Sequence, residues 1–189
     1  ASDAVEIGAA VTFKDDGPQV NELAVTSSVT LDETDAGEAF EDGPIVATSS
    51  DPIVDAELLF GADGAAAANA VVYGLALSGE SGATSLQTAE GDYAITLVKI
   101  DSNTIEGQYN DGSQKTAFVL DIDSDGKLTV TQNVALEHLS DGSTAAAYDD
   151  ALDLDGLVKA TVTITDADGD TASDAVEIGA AVTFKDDGP

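Results

Sequence analysis

The chain has 189 residues, 43% of them hydrophobic, enough to bury a substantial core and too many for a disordered polypeptide. Its 37 Asp and Glu against 6 Lys and Arg give a net charge of −31, which argues against nucleic acid and anionic membrane surfaces as partners. Cysteine is absent, which leaves no disulfides or thiol chemistry, and no apolar run approaches the length of a bilayer span.

The first stretch, Ala1–Pro18, returns letter for letter as Ala172–Pro189, so the chain is one unit of a tandem array. Its period is far longer than the ~20–50 residues of solenoid repeats, and each unit is therefore a domain or a pair of domains. Residues 1–18 read as the terminal strand and linker of a preceding repeat, and residues 19–189 as one full repeat ending in the same strand and linker. The duplicated segment holds the strand-like run VEIGAAVTF followed by KDDGP, a turn or linker signal.

Further along, short β-branched runs predict strands at Leu23–Leu31, Ala70–Leu77, Tyr93–Ile100, Thr104–Tyr109, Thr116–Ile122, Lys127–Ala135 and Leu157–Thr165. Asp32–Pro44 reads as an acidic loop. One short helix is expected where Ser50 or Asp51 caps, Pro52 occupies the first turn and Gly61 follows Phe60 as a stop. Gly- and Asp-containing turns between the strands favour antiparallel sheets over βαβ units. The expected fold is all-β: one or two immunoglobulin-like, antiparallel β-sandwich modules, with a strand shared between neighbouring repeats.

So lopsided a charge opposes compaction unless cations neutralise it, whether bound Ca²⁺ or the concentrated salt around a halophile. The acids cluster at alternate positions in Gly-containing turns instead of scattering over the surface, and this favours Ca²⁺ as the cofactor. Asp166, Asp168 and Asp170 in TDADGDT crowd one turn directly after the strand ATVTIT. Ca²⁺ takes six to eight oxygens at about 2.3–2.6 Å, which alternate carboxylates and carbonyls of a tight loop can supply. Asp121, Asp123 and Asp125, followed by Gly126, open like an EF-hand loop, but the twelfth position is Gln132 and the flanks are strand-like. A third candidate is the linker pair Asp15 and Asp16 with its copy Asp186 and Asp187, where an ion would clamp successive units.

Catalysis finds no support. His138 is the single histidine, with no nucleophile at a recognisable spacing, and 37 acids make any carboxylate pair uninformative. The 5 Phe and 4 Tyr are spread along strands and predict no binding pocket.

The order of LDET at Leu31, LFGADG at Leu59, VVYGLALSG at Val71, TVTQNVALEH at Thr129, VTITDADGDTAS at Val162 and VTFKDDGP at Val182 resembles the extender tandem repeats of giant RTX adhesins. The resemblance covers most of the chain, although the nonapeptide repeats of the RTX calcium β-roll are missing. It implies a non-enzymatic module of a type I-secreted protein on a Gram-negative cell surface, serving adhesion and biofilm formation by holding a ligand-binding tip away from the cell. It further implies Ca²⁺ at Asp166, Asp168 and Asp170 and at the junction residues Asp16 and Asp187. The implied partners are neighbouring repeats of the same chain, with no direct membrane contact and a monomeric tandem array. The alternative is a glycan- or protein-binding β-sandwich of an extracellular protein.

Overall fold

In the computed structural model, which describes residues 16–36, 40, 43–138 and 150–186, strands dominate. In chain order they are β1 (Gln19–Val25), β2 (Val29–Asp32), β3 (Ile45–Thr48), β4 (Val54–Leu59), β5 (Val71–Leu77), β6 (Ala83–Gln87), β7 (Ala94–Lys99), β8 (Thr104–Asn110), β9 (Gln114–Ile122), β10 (Leu128–Gln132), β11 (Ala151–Asp153), β12 (Val158–Thr165), β13 (Thr171–Glu177) and β14 (Val182–Lys185). Period-two alternation drives them. On β12 the residues Val158, Ala160, Val162 and Ile164 are buried while Lys159, Thr161, Thr163 and Thr165 between them are half-exposed.

One layer is a six-stranded sheet in the order β3-β10-β9-β8-β7-β6. Two three-stranded sheets, β11-β14-β2 and β13-β12-β5, and the ribbon β1-β4 complete the fold. Among the described residues every strand pairing is antiparallel except that of β14 with β2, which is parallel. The inward side chains of these sheets form one hydrophobic cluster. Within it, Phe118 of β9 meets Phe184 of β14 with ring centroids 5.0 Å apart and planes tilted by 44°. That contact joins two sheets, and such aromatic pairs contribute about 0.5–1.5 kcal/mol beyond their buried area. The architecture is an all-β sandwich.

Two local expectations need correction. No helix follows Pro52; the segment forms β4, paired antiparallel with β1. The capping chemistry there closes a turn instead, with Ser49 Oγ donating to the Asp51 carbonyl at 2.7 Å and Ser50 Oγ to Asp51 Oδ2 at 3.0 Å. Beyond it, Val54, Ala56 and Leu58 turn inward while Asp55, Glu57 and Leu59 face solvent, a period that suits only a strand. Helical structure among the described residues is limited to short 3-10 turns such as Glu33–Ala36, inside the expected acidic loop, and Gly179–Ala181.

In its second copy, residues 176–184, the run VEIGAAVTF is likewise not one strand. The 3-10 turn at Gly179–Ala181 divides β13 from β14. A Cβ at Gly179 would collide with the Leu154 carbonyl, and Leu154 N–H donates to the Gly179 carbonyl at 3.2 Å, so close backbone approach demands glycine there. β14 has partners on both edges, β11 and β2, so this copy of the duplicated segment completes the sheet of its own unit. The expected shared strand of the other copy, Val5–Phe13, lies outside the described residues.

Candidate metal centre

The hairpin between β12 and β13 gathers three of the expected ligands. β12 ends at Thr165, and Asp166, the first residue beyond it, is only 2% exposed. Asp166 Oδ1 accepts the backbone N–H of Gly169 at 3.0 Å and of Asp170 at 2.8 Å. The Asp166 N–H donates to the Asp170 carbonyl at 3.0 Å. Gly169, at φ 102°, supplies the backbone conformation that closes the turn. The result brings one carboxylate oxygen each from Asp166, Asp168 and Asp170 within 4.8 Å of one another, with Asp168 and Asp170 open to solvent. A hydrogen bond with the Asp168 carboxyl and then the surrounding backbone N–H groups hold Asp166 below the usual carboxylate range. An all-oxygen, anionic, solvent-accessible donor set fits a hard divalent cation such as Ca²⁺.

The second expected constellation does not converge. Asp121 still belongs to β9, paired with Thr104 on one side and Thr129 on the other, and its Oδ2 accepts Thr104 Oγ1 at 2.9 Å. Asp123 is the true first turn residue. Its Oδ1 accepts the N–H groups of Asp125 and Lys127, each at 2.9 Å, and its own N–H donates to the Lys127 carbonyl at 3.0 Å. Asp121 is thus engaged across the sheet with Thr104 and not in the turn, and lysine stands where a third carboxylate would be.

The linker residues divide. Asp15 and Asp187 lie outside the described residues. Asp16 receives the Ala62 N–H on both carboxylate oxygens, each at 3.2 Å. The same Gly61–Gly64 turn touches the β12–β13 hairpin, where Ala167 N–H donates to the Gly64 carbonyl at 2.9 Å and Ala65 forms a bridge with Asp166. The incoming linker and the acidic hairpin are thus tied to one loop. Asp186 joins a different group, with Glu33 and His138, whose potential donor atoms lie within 4.8 Å of one another. Sequence gave no sign of that group because its members come from three distant segments.

The aromatic residues are also less scattered than expected. Tyr93 and Tyr109 stack at a centroid distance of 6.1 Å with planes 26° apart. They line a groove of about 780 Å³ together with Phe40, Glu90, Asp111 and Lys115. Lys115 Nζ donates to Asp111 Oδ2 at 2.5 Å, which holds the Asp111 carboxyl below the usual range and raises the Lys115 ammonium.

A family model described as a domain of unknown function, DUF5801, matches residues 28–179, well over half of the chain. The chain belongs to the DUF5801 family. No curated protein and no solved structure matches it. The DUF5801 span contains both acidic turns, at Asp123 and at Asp166, and leaves the linker residues Asp16 and Asp186 outside. Among the described residues no helix is long and apolar enough to cross a membrane.

Proposed function

We propose that this DUF5801 unit is a structural extender of an extracellular adhesin, folded and stiffened by Ca²⁺. The observation that carries the reading is the convergence of Asp166, Asp168 and Asp170 on a hairpin hydrogen-bonded to the loop that also receives Asp16 of the incoming linker. The exact duplication of the terminal segment supports a tandem array, and the net charge of −31 supports a chain that repels itself until cations bind. In a cytosol poor in free Ca²⁺ such a chain stays loose enough to thread a secretion channel; outside, the ion favours only the folded form. Asp166, Asp168 and Asp170 are the residues that would hold it.

Thermal unfolding in EDTA against about 10 mM CaCl₂, repeated with MgCl₂ and with concentrated NaCl, tests the reading. Extracellular modules bind Ca²⁺ with Kd of about 10⁻⁴–10⁻³ M. Ligand at ten- to hundredfold excess over Kd then stabilises by about 1.4–2.7 kcal/mol per site. That shifts Tm by roughly 3–10 °C for a protein of this size. A melting curve indifferent to Ca²⁺, or one moved equally by NaCl, would overturn it.

One observation favours the alternative, a ligand-binding module: the Tyr93–Tyr109 stack beside charged side chains resembles a surface on which a sugar ring could lie. Binding on a glycan array, abolished in Tyr93→Ala, would promote it.

A further inference from the structure

Three segments far apart in sequence meet at the site where β14 ends. Glu33 follows β2 and is 5% exposed. Its Oε1 accepts Gln132 Nε2 at 2.6 Å and the Leu136 N–H at 2.9 Å, two bonds that fix the carboxylate. His138 Nε2 lies 3.7 Å from that same oxygen, with the imidazole side chain 3% exposed. Asp186, the residue after β14, donates its N–H to the Asp150 carbonyl at 3.1 Å and brings its carboxylate within reach of both.

The histidine is the unexpected member. Neither Nδ1 nor Nε2 has a hydrogen-bond partner, although both are buried, and Gln132 Oε1 beside them is buried and unbonded as well. Leaving buried polar atoms unsatisfied is costly, so a fold that keeps an imidazole here does so with something facing it. We propose that Glu33, His138 and Asp186 bind a divalent cation of the zinc class, separate from the acidic hairpin and independent of the calcium reading.

Geometry and donor chemistry agree on that class. Two donors on a tetrahedral ion with bonds of about 2.0–2.2 Å stand about 3.4 Å apart, and His138 Nε2 lies 3.7 Å from Glu33 Oε1, so an ion would take the second oxygen of that carboxylate, Gln132 and Leu136 holding the first. The remaining donor lies within 4.8 Å, a distance that a small rotation of the Asp186 side chain closes. Imidazole nitrogen selects borderline transition ions over Ca²⁺ or Mg²⁺, which take oxygen. Gln132 and the Leu136 amide orient Glu33 as outer-shell groups orient ligands in metal sites. Three protein ligands leave one coordination position for water. A bound ion would fasten the end of the last strand, where the chain passes into the acidic linker, to the turn after β2 and the segment after β10. It would thereby set how firmly one unit is held at its exit.

The competing occupant is a proton. Burial alone would lower the His138 pKa, but Glu33 and then the charges of Asp186 and Asp150 outweigh it and raise it. The single histidine makes the two separable, because one imidazole gives one set of ring ¹⁵N signals. In the 189-residue protein held in excess CaCl₂, one equivalent of ZnCl₂ is expected to move one ring nitrogen to a metal-bound shift and to abolish the pH titration of the ring, while MgCl₂ does neither. Calorimetry should show the same event weakened at least tenfold in Asp186→Asn and in Glu33→Gln. Asp186→Asn lies at the end of the fold and should melt normally without zinc. If the ring titrates as before in excess zinc, or if zinc binds only at other carboxylates and leaves the histidine signals unmoved, the proposal fails.

Discussion

Two hairpin turns of this protein share a backbone and differ in one decisive side chain. Asp123-Ser-Asp-Gly-Lys127 and Asp166-Ala-Asp-Gly-Asp170 each begin at the first residue past a strand, β9 or β12. In both, the leading Asp carboxylate caps the N–H of the fifth residue, at 2.9 Å for Lys127 and 2.8 Å for Asp170. In both, the leading N–H donates to the fifth carbonyl at 3.0 Å and the fourth residue is a glycine at positive φ, 78° for Gly126 and 102° for Gly169. Only the second brings three carboxylates together. In the first, the Lys127 ammonium donates to the Ser50 carbonyl at 2.8 Å, so a covalently attached cation stands where the other turn has a third anion. Asx-turn chemistry explains the shape of both; the fifth residue decides whether a third carboxylate joins the other two.

The strongest way to break that contrast is Asp170→Lys. Residue 170 gives its backbone N–H and carbonyl to the turn, bonds that the substitution keeps while removing one carboxylate and adding a repelling charge. We expect the calcium-dependent part of the Tm, about 3–10 °C if one site dominates, to disappear, with little change in EDTA. A Tm increment that survives would move the calcium elsewhere. The reciprocal change, Lys127→Asp, should install a second calcium-dependent increment in the same melting experiment. It also removes the bond to Ser50, which costs about 1 kcal/mol in EDTA, so its signature is a lower starting Tm and a larger calcium gain.

Acid unfolding gives a smaller effect of fixed sign. Hydrogen bonds from Asp168 and the turn backbone depress the Asp166 pKa below its ordinary 3.8. A carboxylate with a depressed folded pKa adds stability that is complete above the unfolded value and is lost as pH falls through the folded one. Asp166→Asn keeps an acceptor for the Gly169 and Asp170 N–H groups but cannot titrate. Its stability, measured by urea unfolding in EDTA, should therefore fall less than that of the parent protein between pH 5 and pH 2. Parallel curves would show that the turn is not electrostatically tuned.

The contrast between the turns also marks how far sequence can be read. TDADGD was legible because the strand before it ends in a clean alternation, Val158 to Thr165, that places Asp166 at the first free position. The strand expected at Thr116–Ile122 already contains Asp121, between the buried positions Leu120 and Ile122, yet alternate spacing groups the residue with Asp123 and Asp125 as a ligand. A superficial likeness to an EF-hand hid that phase. The helix expected after Pro52 failed for a related reason, capping signals being local while the alternation of β4 answers to its partner β1. Glu33 and His138 had no local metal signal, and Asp186 was expected to act with Asp187 at the junction between units. The parallel pairing of β14 with β2 sets Asp186 beside Glu33, and the bonds of Gln132 and Leu136 to Glu33 bring in the segment of His138; period and spacing encode neither.

The finest test of the comparison reads the first turn through a tyrosine. Tyr73 packs over the Asp123–Lys127 turn, where a Cβ on Gly126 would sit 2.9 Å from its ring. Burial, and then the negative charges of Asp55 and Asp125, raise the Tyr73 pKa above its ordinary 10.0. The sign follows: a raised folded pKa adds stability that is complete below the unfolded value and is lost as pH rises through the folded one. Ultraviolet difference titration, with Tyr73→Phe to assign the step, should show this tyrosine ionising at a higher pH than in Asp125→Asn, where one of the two charges is gone. In the parent protein CaCl₂ should leave that midpoint in place, because no ion gathers at a turn that carries its own ammonium. In Lys127→Asp it should bring the midpoint down, since an ion held by Asp123, Asp125 and the new carboxylate would reverse the local charge that the phenol senses. A calcium-sensitive Tyr73 in the parent protein would mean that the two turns are equivalent after all and that the fifth residue does not select between them.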